Sequence, residues 1–218
     1  MIFMSDTKPF ITLFFITLCV VVFLIEPKDQ NFEVDVANPI NRFFAFTPDL
    51  AFSLPWTFVT SIFMHANPSH LLVNMFVLFM FGSFLENRIG PRKYMLIFFA
   101  TGIVGNLGYM ISSYALQNTF LAPYYSPTVL GLGASGAIYG ILGTLAILEP
   151  YAIVYVFFVP MPMIIAAIVW GLIEILGIFA PAGIASGAHL GGLFLGLVIG
   201  YILHRQRKRV RVIHYSSF

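Results

Sequence analysis

Apolar residues fill this chain in blocks of bilayer-spanning length, set apart by short polar interruptions. A hydrophobic stretch of about 17 to 25 residues is what a helix needs to cross a hydrocarbon core roughly 30 Å thick. Six blocks meet or approach that length, at residues 9–25, 70–86, 94–116, 133–148, 163–179 and 186–203, and each predicts a spanning helix. The first lacks a small-x-small cleavage site and has only Lys8 ahead of it, so it reads as a retained span rather than a signal peptide. Between the first two blocks, Glu26, Asp29, Glu33, Asp35 and Asp49 mix with Phe43, Phe44 and Phe46, which predicts a long loop lying partly in the membrane interface. Residues 151–162 are apolar but interrupted by Pro160 and Pro162, which predicts a segment dipping into the interface. The expected architecture is one all-α membrane domain over residues 1–218, a polytopic six-helix bundle with a basic tail at 204–218.

Composition agrees with the pattern. With 59% apolar and 9% charged residues, and a mean hydropathy of +0.91, the chain departs from the roughly 25% charge of soluble domains. The single cysteine, Cys19, precludes an intrachain disulfide. Lys8, Arg88, Arg92, Lys93 and five tail residues (Arg205, Arg207, Lys208, Arg209 and Arg211) fall on one side of a six-span topology. Only Lys28 and Arg42 fall on the other. The positive-inside rule then predicts a multi-pass protein of the cell membrane with both termini cytoplasmic. The basic tail beside a membrane helix points to lipid headgroups as its partner, not to nucleic acid.

Two glycine-rich stretches carry the candidate chemistry. Leu132-Gly133-Ala134-Ser135-Gly136-Ala137-Ile138-Tyr139-Gly140 opens the fourth span with a hydroxyl. Ser186-Gly187-Ala188-His189-Leu190-Gly191-Gly192 opens the sixth with an imidazole. Both spans run inward from the outer face, so Ser135 and His189 are expected at similar depth. A Ser–His pair in hydrogen-bond reach is the minimum for nucleophilic acyl transfer. Gly136, Gly140 and Gly143, with Gly192, Gly196 and Gly200, form small-residue ridges that let membrane helices approach closely. Packing accounts for those glycines in full, but it does not account for an ionisable His beside them.

Tyr139 follows Ser135 by one helical turn, where stacking on His189 and a place among interfacial aromatics are both open. His70 and Asn74, one turn apart at the outer end of the second span, present two side-chain donors for an oxyanion. The Ser135 amide at a helix N-terminus supplies a third. Glu86 and Glu149 lie at cytoplasmic ends, so no acid is expected beside His189, and a dyad is the reading. Glu174, the one acid inside a span, is left either facing a water cavity or pairing with a polar neighbour. No cofactor or metal is called for. At about 24 Å the fourth span is short for the bilayer, and starting it below the outer surface leaves a depression for water.

Taken together, His70-x3-Asn74, Glu86-x-Arg88, Gly133-x-Ser135-Gly136 with Tyr139, and Ala188-His189-x2-Gly192-x3-Gly196 resemble the rhomboid family of intramembrane serine proteases. The resemblance runs from Trp56 to about Gly200 and implies the minimal six-span prokaryotic form. It implies Ser135 as nucleophile, His189 as general base, and His70, Asn74 and the Ser135 amide around the oxyanion. Gly133, Gly136, Gly192 and Gly196 become supporting positions. Trp170 and the loop 180–185 become a lateral gate, with single-span transmembrane proteins as substrates. One departure is Thr57, which follows Trp56 where the family often has Arg. Two rival readings are a silent rhomboid-like protein that binds membrane clients, and a small transporter using Glu174 and His189. The second is weakened by the lack of an internal repeat.

Overall fold

The computed structural model describes residues 8–156, 159–179 and 185–215. It is a helical bundle. In chain order the elements are α1 (Phe10–Ile25), α2 (Pro39–Phe44), α3 (Thr57–Thr60) with a 3-10 turn (Ser61–Phe63), α4 (Pro68–Val77), a π turn (Leu78–Gly82), α5 (Ser83–Ile89), α6 (Pro91–Leu116), α7 (Ser135–Leu148), β1 (Ile153–Val156), β2 (Val159–Pro162), α8 (Met163–Phe179) and α9 (Ser186–Tyr215). Among the described residues, three stretches are long and apolar enough to cross a membrane: Pro68–Ile89, Pro91–Leu116 and Ser186–Arg207. Phe10–Ile25, Ser135–Leu148 and Met163–Phe179 are shorter apolar helices. The six predicted blocks coincide with these six stretches.

Helix α7 is the axis. Eleven of its fourteen residues are buried, among them Gly136, Ile141 and Leu145, and a helix apolar on every side has to be enclosed by others. Helices α6 and α9 flank it most closely and α8 closes another side. Helix α1 buries one face, Thr12, Phe15, Cys19 and Phe23, with Phe15 stacked on Phe98 of α6 at 4.2 Å.

The start of α1 is held from far along the chain. Pro9 offers no side-chain cap. The buried carboxylate of Glu86 instead accepts from Ile11 N at 2.9 Å, Thr12 N at 2.8 Å and Thr12 Oγ1 at 2.7 Å. Helix N-termini leave backbone donors without partners and favour negative charge, so this contact satisfies both needs. Glu86→Ala is expected to lower stability by about 3 kcal/mol, since hydrogen bonds to a charged group contribute roughly 1.5 to 3 kcal/mol each. Thermal unfolding in detergent measures it, and an unchanged midpoint would refute the capping role.

The structure adds detail to three expectations. The loop between α1 and α4 is folded. Asn41 Nδ2 donates to Pro27 O at 2.9 Å and Asp35 O at 2.8 Å, and Phe46 is fully buried against Phe58 and Tyr109. Trp56 Nε1 donates to Phe43 O at 2.8 Å, so the indole itself anchors the loop beside Thr57. Strands β1 (Ile153–Val156) and β2 (Val159–Pro162) form an antiparallel pair, with Ile153 opposite Pro162 and Val156 opposite Val159. Proline is tolerated on such an edge because the ladder there needs no further donor. Finally, α9 continues to Tyr215 rather than ending at residue 203. No Gly or Pro follows Gly200 before that point, and charge alone does not stop a helix of Arg, Gln and Lys.

Candidate active site

The turn into α7 depends on Gly133. Its φ of +121° is rarely open to other residues, and a Cβ there would come within 2.8 Å of the His70 ring. Gly133 N donates to Ser61 O at 2.9 Å, fixing the turn against the preceding loop. Ser135 is then the first residue of α7, in the helical turn whose backbone N–H groups have no partner within the helix.

His189 arrives from α9 because α7 and α9 touch backbone to backbone. At Gly192 a Cβ would collide with Gly136 O, and at Gly196 with Gly140 O. Thr144 Oγ1 bridges the two helices, 2.9 Å from Gly140 O and 3.1 Å from Gly196 O. One turn above this seam, His189 Nε2 lies 2.7 Å from Ser135 Oγ. The Tyr139 ring stacks on the His189 ring at 4.4 Å and 7°. Both alternatives for Tyr139 are thereby resolved in favour of the stack.

Glu174 is the residue that sequence reasoning did not bring to the site. Its Oε1 lies 2.9 Å from His189 Nδ1 and accepts from Tyr139 Oη at 2.5 Å. Ser186, the buried first residue of α9, lies close to Glu174 beside Gly177. The expectation of no acid beside His189 is corrected. Glu174 does pair with polar neighbours, on α7 and α9. The signal available was its isolation as the one acid inside a span. The Nδ1 contact has ion-pair distance but is not aligned as a hydrogen bond. With Nδ1 turned to a carboxylate, Nε2 is left as acceptor and the Ser135 hydroxyl as donor.

His70 stands on the other side of Gly133. Its backbone N–H donates to Asn67 Oδ1 at 2.9 Å, so Asn67 caps α4. Ala66 N donates to His70 Nδ1 at 3.3 Å, which leaves Nε2 to carry the ring proton as a donor. His65 packs edge-on against it at 5.2 Å. Burial pulls His65 down to about 3, so that neighbour is neutral. Asn74 Nδ2 donates to His70 O at 2.9 Å, with a second amide hydrogen remaining. Trp170, on α8, lies edge-on to Phe81 of the π turn at 5.8 Å. Most of the loop 180–185 lies outside the described residues. A small cleft of about 20 Å³ beside Ser135, room for about one water, is lined by Gly102, Asn106, Tyr109, Gly131 and Ala185, among others. Among the described residues no three His, Cys, Asp or Glu side chains are arranged to hold a metal ion.

A sequence model of the rhomboid domain matches residues 53–206, which takes in each of these side chains. The chain belongs to the rhomboid family. Relatives of this rhomboid include YdcA of Bacillus subtilis (strain 168), 27% identical over 154 residues, covering 71% of this chain and 70% of that protein. RHOMBOID-like protein 12, mitochondrial, of Arabidopsis thaliana is 31% identical over 163 residues, 70% of this chain and 48% of that one. The protein named rhomboid protease GlpG in Klebsiella pneumoniae (strain ATCC 700721 / MGH 78578) is 26% identical over 196 residues, 88% of this chain and 63% of that one. This rhomboid therefore spans between about half and 70% of the length of those relatives. It is a multi-pass membrane protein of a family that includes intramembrane proteases.

Proposed function

We propose that this rhomboid is an intramembrane serine endopeptidase, with Ser135 as nucleophile and His189 as general base, cutting transmembrane proteins near the outer face of the cell membrane. The observation that carries the reading is the 2.7 Å approach of Ser135 Oγ to His189 Nε2 inside an apolar bundle. Ser135 Oγ attacks the scissile carbonyl carbon while Nε2 takes its proton. The imidazolium then donates that proton to the leaving amine as the acyl-enzyme forms. Water attacks the ester with His189 again as base, and the Ser135 hydroxyl is restored. The Ser135 N–H, His70 Nε2–H and the second Asn74 amide hydrogen are the donors for the developing oxyanion. The cleft beside Ser135 gives water a place to stand, which hydrolysis in an apolar surrounding demands.

Orientation follows from charge. Arg88, Glu149 and Arg207 meet at one end of the bundle, the opposite end of α7 from Ser135, and the basic residues cluster there. By the positive-inside rule that end and both termini are cytoplasmic, so Ser135 opens toward the outer leaflet. Supporting the gate reading, α8 carries Trp170 against Phe81 while Ile168, Leu172 and Leu176 on the same helix are exposed.

Labelling by a fluorophosphonate probe, which reacts only with an activated serine, tests the proposal. The wild type is expected to label, and Ser135→Ala and His189→Ala are expected not to. A folded wild type that stays unlabelled overturns the reading, as does label surviving on Ser135→Ala.

A further inference from the structure

A catalytic His inside an apolar bundle has an electrostatic problem that its serine does not solve. When Nε2 takes the Ser135 proton, the ring becomes a cation with little water to solvate it, and an unpaired charge in such a place is costly. His189 is 8% exposed. Among the described residues, the polar groups facing it are Ser135 and Tyr139 from α7, Glu174 from α8 and, at longer range, His70 from α4. Only Glu174 can offer a negative charge. Glu174 is itself 5% exposed, and Tyr139 Oη and His189 Nδ1 both converge on its Oε1. The Tyr139 ring is thus tied at its hydroxyl to the same oxygen that faces the imidazole it stacks on.

We propose that Glu174 is a positioning residue of this site, holding His189 and Tyr139 in register and balancing the imidazolium that forms during acyl transfer. The inference rests on the Ser135–His189 reading. It makes the site a Ser–His–Glu line assembled from three helices, with the carboxylate supplied by α8. Because the Nδ1 contact is close but not aligned as a hydrogen bond, its action is mainly coulombic. The expected loss on removal is therefore below the roughly 10⁴-fold that follows loss of the aligned acid of a serine-protease triad.

The test compares Glu174→Gln and Glu174→Asp with wild type in proteoliposomes, on a transmembrane substrate that the wild type cleaves, together with fluorophosphonate labelling rates. Glu174→Gln is expected to lower kcat by about 10- to 100-fold with KM within about threefold, and to slow labelling by a similar factor. Glu174→Asp keeps the charge on a shorter arm and is expected to give an intermediate kcat, again with KM unchanged. A purely structural residue would not show this split, nor graded rescue by the retained charge. Wild-type kcat in a folded Glu174→Gln overturns the proposal, as does a loss confined to KM. If Glu174→Gln does not fold, Glu174→Asp decides: lowered kcat at constant KM supports the role and wild-type kcat overturns it. Failure of the underlying Ser–His reading shows separately, as a wild type that does not label or a Ser135→Ala variant that does.

Discussion

Ser135→Ala and His189→Ala are each expected to abolish cleavage of a transmembrane substrate, and the double variant is expected to be no worse than either single one. Nucleophile and base act as one unit here, because 2.7 Å separates Oγ from Nε2 and neither atom performs acyl transfer without the other. In serine proteases, loss of either member lowers kcat by on the order of 10⁶, and the losses do not add. Substrate binding rests on other surfaces, so KM or direct binding should change little. Turnover of a reconstituted substrate by the three variants measures it. Independent, multiplying losses would show that the two residues act in separate steps, and substantial turnover by Ser135→Ala would remove it as nucleophile.

The second large effect is expected at Gly196. A single Cβ there would meet the Gly140 carbonyl and the backbone around it, and backbone, unlike the far end of a side chain, cannot swing aside. Gly196→Val must push α9 off α7. The cost is expected to be about 3 kcal/mol or more, at the upper end of what overpacking a close interface does. The same displacement draws His189 away from Ser135, because those two helices alone carry the pair. Both stability and cleavage should fall together. Gly171→Ala is the control, since its Cβ would meet only Leu193 Cδ2 at 3.3 Å, a side-chain tip that can shift. Thermal midpoints and turnover for the two variants decide. A Gly196→Val protein of wild-type stability would mean the helices have room the seam does not show.

Much of this molecule was legible from one dimension. In a bilayer the backbone must satisfy its own hydrogen bonds within each segment, so apolar length alone locates the helices. The blocks at 94–116 and 163–179 differ from α6 and α8 by at most three residues at either end. The small-residue ridges on α7 and α9 likewise announce a close contact, because only glycine permits one. Ser135 and His189 meet beside those ridges, and of the two places the sequence left open to Tyr139 the fold takes the stack on His189.

What the sequence could not decide was which faces of uniformly apolar helices turn inward, and what distant residues meet there. Glu86 lies in a polar turn by composition, and only folding brings it to the start of α1, 74 residues away. Glu174 and Tyr139 are 35 residues apart. No period in α8, apolar on nearly every position, marks the side that carries the carboxylate to His189. The extent of α9 past residue 203 and the pairing of β1 with β2 depended likewise on contacts rather than composition. Local apolar length determined the spans, because lipid makes each helix satisfy itself. The partners of the buried charges were decided by tertiary packing, because a carboxylate in an apolar bundle is stable only where other helices bring donors to it.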